Sequence, residues 1–173
     1  MVSITDADWS REVPRKFWDP SRKLLLSIRC YQKCKQKKGF IALVISKICV
    51  IQHAFWSAIS GADIPISCNI GGGLLIPHPN GIVIHPQSEI GINCLIHQQV
   101  TVGVKRGNAI PPKISAHVDI GAGAKIIGNI NIGDHSLIGA NAVVVKDVEA
   151  GVIVAGIPAR AIGFTQDKYN NHD

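Results

Sequence analysis

With 173 residues, the chain has room for one ordinary domain with a real core and a small appendage, and too little for two large domains. Hydrophobic residues make up 46% of it but aromatics only 5%, with 17 glycines, so the core should be built from many small β-branched side chains rather than a few large anchors. The net charge of +6 sits at the front: residues 1–47 hold 11 Lys and Arg against 4 Asp and Glu, whereas residues 48–173 hold 7 against 8. The basic stretch 11–38 has neither the aromatic interleaving nor a motif that would mark a nucleic-acid binder, so no nucleic-acid partner is expected.

The five cysteines (Cys30, Cys34, Cys49, Cys68, Cys94) are odd in number and lack CxxC spacing, and the charged N-terminus does not lead into a secretory apolar stretch. A reduced, cytoplasmic protein is expected. Residues 1–60 read as an α-helical segment, with one helix from Pro20 to about Lys37 and a second from Phe40 to about Ser60. Asp19 before Pro20 gives the pattern of an N-cap followed by a first-turn proline. The second helix is nearly apolar over about 21 residues, the length of a membrane span. Lys47, Gln52 and His53 near its middle favour packing against the rest of the chain or other subunits. The basic segment also suits peripheral contact with an anionic membrane face.

From residue 61 the dominant signal is a period of six. Ile or Val stands at 64, 70 and 76, at 84, 90, 96 and 102, and at 114, 120, 126, 132, 138 and 144. Four residues after most of these comes a second small or apolar residue, as at Cys68, Leu74, Cys94, Val100, Ala124 and Ala142. A helix of 3.6 residues per turn has no fixed stripe for this period. A triangular β-coil does: three six-residue sides make a turn, and residues 18 apart stack at the usual strand spacing of about 4.8 Å.

The period breaks twice. Ile76 to Ile84 takes eight residues, so two extra residues must bulge out within Pro77-His78-Pro79-Asn80-Gly81. Counting rungs stacks Ile84 above Ile64, which brings the end of the bulge near Asp63 and lets His78 and Asp63 approach. A neutral imidazole can take the proton of a hydroxyl, and a carboxylate on its other nitrogen would fix the tautomer. The second break, GVKRGNAIPPK between Val102 and Ile114, is polar and proline-rich and predicts an extruded loop in place of a rung at Asn108.

Over about residues 58–163 the sequence resembles the hexapeptide-repeat acyltransferases, and within them the serine acetyltransferase-like branch. The resemblance lies in GADIPISCNIGGGLLIPHPNGIVI, CLIHQQVTVG, and PKISAHVDIGAGAKIIGNINIGDHSLIGANAVVVKDV followed by AGIPAR. It implies a mainly β fold, a left-handed parallel β-helix over 61–163 with a tail at 164–173, a homotrimer, and acetyl-CoA as co-substrate between subunits. Asp63 and His78 match the family's aspartate and catalytic histidine fifteen residues apart. The matching cofactor positions are Gly103 and Val104 on the coil edge, Ala122 in IGAGAK and Ala140 in IGANAV, with Lys105, Lys146 and Arg160 for the phosphate end. Lys105 and Arg106 fit equally well as a solvated loop tip. His97 and Asn80 are the candidates for acceptor contact.

Three departures bear on the acceptor. Pro77 replaces the aspartate that precedes the catalytic histidine in serine-specific members, Ile110 and Pro111 replace an arginine-histidine pair, and the larger helical domain is mostly absent. The tail, ending on Asp173, also lacks the isoleucine with which those enzymes dock a pathway partner. With the charges for a zwitterion missing, the expected acceptor is a hydroxyl of a sugar or polysaccharide. Serine is the alternative, and a non-catalytic scaffold the second. No serine or cysteine stands where a covalent nucleophile is needed. His85, His117 and His135 lack ligand spacing, so no metal is expected.

Overall fold

A computed structural model describes residues 3–37 and 39–166. The expected flexible tail at 164–173 lies outside these from residue 167 onward. A short 3-10 turn at Trp9–Glu12 precedes helices α1 (Pro20–Lys35) and α2 (Phe40–Ser60), and then the chain winds into a left-handed parallel β-helix of short strands.

The strands stack on three faces. The first holds β1 (Asn69–Ile70), β3 (Glu89–Ile90), β6 (Lys113–Ile114) and β9 (Asn131–Ile132). The second holds β4 (Leu95–Ile96), β7 (Asp119–Ile120), β10 (Leu137–Ile138) and β12 (Val152–Ala155), closed by an antiparallel β13 (Arg160–Phe164). The third holds β2 (Val83–Ile84), β5 (Thr101–Gly103), β8 (Lys125–Ile127) and β11 (Val143–Val144).

The register explains the sequence period directly. Ile114 pairs with Ile132, Ile120 with Ile138 and Ile126 with Val144, each 18 residues on. Every Ile and Val of the series from Ile64 to Val144 is buried, as are the second positions from Cys68 to Val148. Across the first break the step becomes twenty (Asn69 to Glu89), and across the second twenty-four (Glu89 to Lys113). The ladder therefore stays in register only because the extra residues leave it. Coil corners take left-handed φ at Gly81 and Gly123, and also at Asn93, Gln99, His117, His135 and Asn141, residue types that tolerate that region.

The N-terminal segment is fastened to the coil by buried charge. Arg29, 8% exposed, donates Nε and Nη2 to the Glu12 carboxylate at 2.8 Å each, and two further N–H groups to the carbonyls of Ile70 and Gly71 at 2.6 Å. Glu12 Oε1 in turn accepts the Leu74 N–H at 3.0 Å. The buried Asn93 side chain accepts from Asp8 N–H at 2.7 Å and donates to the carbonyls of Ser3 and Asp6. Asp19 occupies the N-cap position of α1, but its side chain makes no cap; Oδ2 accepts from Arg15 N–H at 3.1 Å and Arg22 Nη1 at 3.3 Å.

Within the single chain, helix α2 packs only in part. Only its second half engages the coil: His53 Nε2 lies 2.9 Å from the Ile64 carbonyl, the Ser57 hydroxyl bonds the Ala62 carbonyl at 2.5 Å, and Trp56 packs on the core. Phe40, Ile41, Leu43, Ile48 and Ile51 remain exposed, and the helix is long and apolar enough to cross a membrane.

Two predictions follow from these contacts. Glu12→Ala strands a buried guanidinium and should cost about 3–5 kcal/mol, read as a shift in the urea midpoint. Burial also holds the His117 and His53 imidazoles below their ordinary 6.5, opposed at His117 by Asp119 and at His53 by the Ile64 hydrogen bond and Asp63. Since these pKa values are depressed on folding, the unfolded chain binds more protons between the folded values and 6.5. Stability should thus fall as pH drops through 6.5 toward the lowered folded values, and His117→Asn, which keeps the left-handed corner, should flatten that slope.

Candidate active site

The bulge sits at one edge of the third face. Asp63 pairs in parallel with Val83, and the Ile84 N–H bonds the Asp63 carbonyl at 2.9 Å, so the rung count from the sequence holds. Both Asp63 and His78 are exposed, and no hydrogen bond joins them among the described residues. The carboxylate of Asp63 lies close enough to His53 of α2 to oppose that ring's desolvation, a neighbour the sequence did not reveal.

The Pro77–Gly81 segment is held from below and above. Gly81 N–H bonds the Gly61 carbonyl at 2.7 Å, and Asn80 gives its carbonyl to Gln99 N–H at 2.9 Å. Leu75 pairs with Leu95, which puts His97 one rung above Pro77 at the start of the bulge. His97 is half-buried and Asn80 exposed.

The same corner continues upward as a column. Gln98 gives its carbonyl to Gly123 N–H at 2.9 Å, and Ala122 gives its carbonyl to Asn141 N–H at 2.8 Å. Ala122 and Ala140 therefore stand on the edge that rises from the bulge. Gly103 ends β5 opposite Ile127, at the other edge of the third face, where Gly128 N–H bonds its carbonyl at 2.9 Å. Val104 and Lys105 follow it. Lys146 lies just past β11, and Arg160 opens β13; Lys105, Lys146 and Arg160 are all exposed. The structure thus brings Asn80, His97, Ala122 and Ala140 to the edge of the bulge, and leaves Gly103, Val104, Lys105 and Lys146 on the opposite edge. The loop after Val104 is extruded as expected: Lys105 and Asn108 form a tight turn, and residues 105–110 are exposed.

Two features escaped the sequence. Gln98 Oε1 is buried without a hydrogen-bond partner among the described residues, beside His97 on the bulge corner. A cavity of about 370 Å³ is lined by Arg15, Lys16, Asp19 and Arg22 on one side and by Pro77 and Pro79, the neighbours of His78, on the other. Arg22 and Asp19 are paired there at 3.3 Å, each 13% exposed. Charged groups of both signs therefore flank the bulge. They come from a segment more than fifty residues away in sequence, which no local motif around His78 signals.

No protein-family model matches the chain. It is 41% identical over 114 residues to a serine acetyltransferase of Mycobacterium tuberculosis (strain ATCC 25618 / H37Rv), across 65% of this chain and 50% of that relative. A serine acetyltransferase of Helicobacter pylori (strain J99 / ATCC 700824) is 35% identical over 148 residues, across 82% of this chain and 81% of the relative. The chain belongs to the serine acetyltransferase family. A solved serine acetyltransferase in complex with coenzyme A, from Brucella abortus strain S19, superimposes with a TM-score of 0.70 at 34% identity, covering 88% of this chain and 61% of that one. The chain spans about half the length of the first of these relatives.

Family membership overturns the sugar or polysaccharide acceptor expected from sequence and favours the serine alternative. Pro77, Ile110 and Pro111 remove charge locally, whereas Arg15, Lys16, Asp19 and Arg22, from a distant segment, place charge of both signs beside the bulge.

The Gly61 corner offers a structural test. Its φ is +67°, and an added Cβ would lie 2.7 Å from Asn80 Nδ2, a side-chain end free to swing away, so the lasting cost of Gly61→Ala is backbone strain. The variant should lose about 1–2 kcal/mol of stability. Amide exchange at Gly81, which bonds the Gly61 carbonyl, should quicken while exchange within β7 and β10 stays as in the parent.

Proposed function

We propose that the chain is an acetyl-CoA-dependent serine O-acetyltransferase that works as a homotrimer, with His78 as general base. The reading is carried by one juxtaposition: the His78 bulge lies between a cavity with charges of both signs and an edge of small residues that leads up the coil. The names of the relatives and the coenzyme A complex of a solved neighbour support its serine and acetyl-CoA parts.

Serine presents an ammonium, a carboxylate and a hydroxyl. In this reading the carboxylate meets Arg15, Lys16 or Arg22, the ammonium meets Asp19, and the hydroxyl points to His78. Nε2 or Nδ1 of His78 takes the hydroxyl proton as the oxygen attacks the thioester carbonyl of acetyl-CoA. The tetrahedral intermediate expels the CoA thiolate, and the imidazolium returns the proton to that sulfur. Asp63 is assigned to stabilise the imidazolium; it is exposed, like His78, and pairs with Val83 just past the bulge.

The pantetheine arm is assigned to the edge formed by Ala122 and Ala140, where short side chains permit close approach to the backbone. Lys146 and Arg160, with Lys105 of the loop, are cations suited to the phosphates. Gly103, Val104 and Lys105 stand on the opposite edge of the third face, and a second subunit would complete the groove by presenting that edge across from the bulge. His97 and Asn80 are assigned to the acceptor side. This assignment makes the trimer a condition of activity.

The test follows free thiol after mixing acetyl-CoA with L-serine, or with a panel of sugars. Turnover on serine is expected; turnover confined to sugars would overturn the reading. His78→Ala should lower kcat by about 10²–10⁴-fold without dissociating the oligomer. Asp19→Asn should act mainly on KM for serine, leaving the Michaelis constant for acetyl-CoA close to the parent value.

A further inference from the structure

Helices α1 and α2 hold a cluster of thiols that the acetyltransfer reading does not use. Cys30 and Cys34 are spaced i, i+4 on α1, which puts them on one face a turn apart. Cys49 of α2 faces them, and the three Sγ atoms lie within 4.8 Å of one another. Cys49 is 1% exposed, while Cys30 and Cys34 are half-buried, so the cluster has a closed end and an end open to solvent. No disulfide joins any of them. The linear sequence hides this grouping because one ligand comes from the other arm of a helical hairpin, so the absence of CxxC spacing was no guide.

We propose that Cys30, Cys34 and Cys49 form a three-thiolate site for a thiophilic d10 cation, with Zn²⁺ as the ion expected. Thiolates select soft or borderline cations over Mg²⁺ or Ca²⁺. With Zn–S bonds of about 2.3 Å, tetrahedral sulfurs stand about 3.8 Å apart, so sulfurs all within 4.8 Å of one another reach a bound geometry by movements of about 1 Å or less. On binding, three S–H bonds break and three metal–sulfur bonds form, with the three protons passing to solvent. No histidine or carboxylate joins the group among the described residues, which leaves the fourth position of the ion to water.

The surroundings suit the resulting charge. Three thiolates on a divalent cation leave one negative charge. Beside Cys34 lies an open cavity of about 390 Å³ lined by Lys35, Lys37 and Lys47, together with Tyr31 and Ser46. These lysines offset the anionic site, and the cavity gives an ion a route to the half-buried Cys34 thiol. The function that follows is mechanical: α1 carries Arg29 and the Asp19–Arg22 pair, so pinning α1 to α2 fixes the helix that supplies one wall of the cavity beside His78.

The full chain, reduced and stripped of metal by chelator, is titrated with Cd²⁺ as a spectroscopic probe and with Zn²⁺ in parallel. One ion per chain should bind with a saturable thiolate-to-metal charge-transfer band in the ultraviolet. Zn²⁺ should raise the Tm and release protons. Cys34→Ser, at a half-buried position that tolerates a hydroxyl, should weaken binding at least about tenfold and reduce the band, whereas Cys68→Ala in the coil should leave both unchanged. The proposal is overturned if the reduced chain shows no band. It is equally overturned if a Cys30→Ser, Cys34→Ser double variant keeps the band at parent strength, or if the trio pairs as a disulfide and leaves metal unbound.

Discussion

The parallel ladder between successive turns is the constraint from which the rest of the structure follows. Each rung must present its Ile or Val inward and its N–H and C=O groups to the rungs on either side, so a strand cannot shift by even one residue without turning its buried side chain outward. Ile114 beneath Ile132 and Ile120 beneath Ile138 show this locking in its regular form. Extra residues have nowhere to go but outward. The coil therefore converts two irregularities in sequence into two surface features of fixed position, the His78 bulge and the loop after Val104, while the core beneath them stays continuous.

A rigid coil alone would offer a flat and mostly uncharged edge. The charge near His78 arrives from the N-terminal segment, and that segment stays in place through a costly device. Arg29 and Glu12 are both buried, and their desolvation is offset by paired hydrogen bonds to each other, to the Ile70 and Gly71 carbonyls and to Leu74 N–H. A less polar contact would bury the same area. The ion pair instead sets one orientation of α1 relative to the coil, and with it the place of Arg15, Asp19 and Arg22 beside Pro77 and Pro79. The relatives are named serine acetyltransferases, and the cavity places charge of both signs beside the bulge.

The coil, its two interruptions and both helices were legible in the sequence because each depends on residues close together in the chain. Every position that the six-residue period named is buried, though Ala62 and Ile82 are buried outside it, and the expected helices match the observed ones to within two residues. Legibility ended where contacts span distance. The sugar acceptor was inferred from Pro77, Ile110 and Pro111 alone, and the relatives overturn it; that Arg15 and Asp19 stand beside the bulge could be read only from the fold. The proximity of His53 to Asp63 and the grouping of Cys49 with Cys30 and Cys34 were hidden for the same reason. Helix α2 is a different case: Lys47, Gln52 and His53 pointed to packing against the chain or other subunits, and within the single chain most of its apolar surface stays exposed.

The central claim is that the two-residue excess between Ile76 and Ile84 builds the catalytic centre on a coil that does not otherwise need it. Deleting Pro79 and Asn80 restores the six-residue step while keeping His78 and the Gly81 corner. Steady-state transfer from acetyl-CoA to serine by this variant, compared with its urea midpoint, is the decisive measurement. The account predicts a coil that still unfolds cooperatively and binds CoA, with turnover lowered by about 10²-fold or more because the base has lost its position. Turnover within about tenfold of the parent would contradict it.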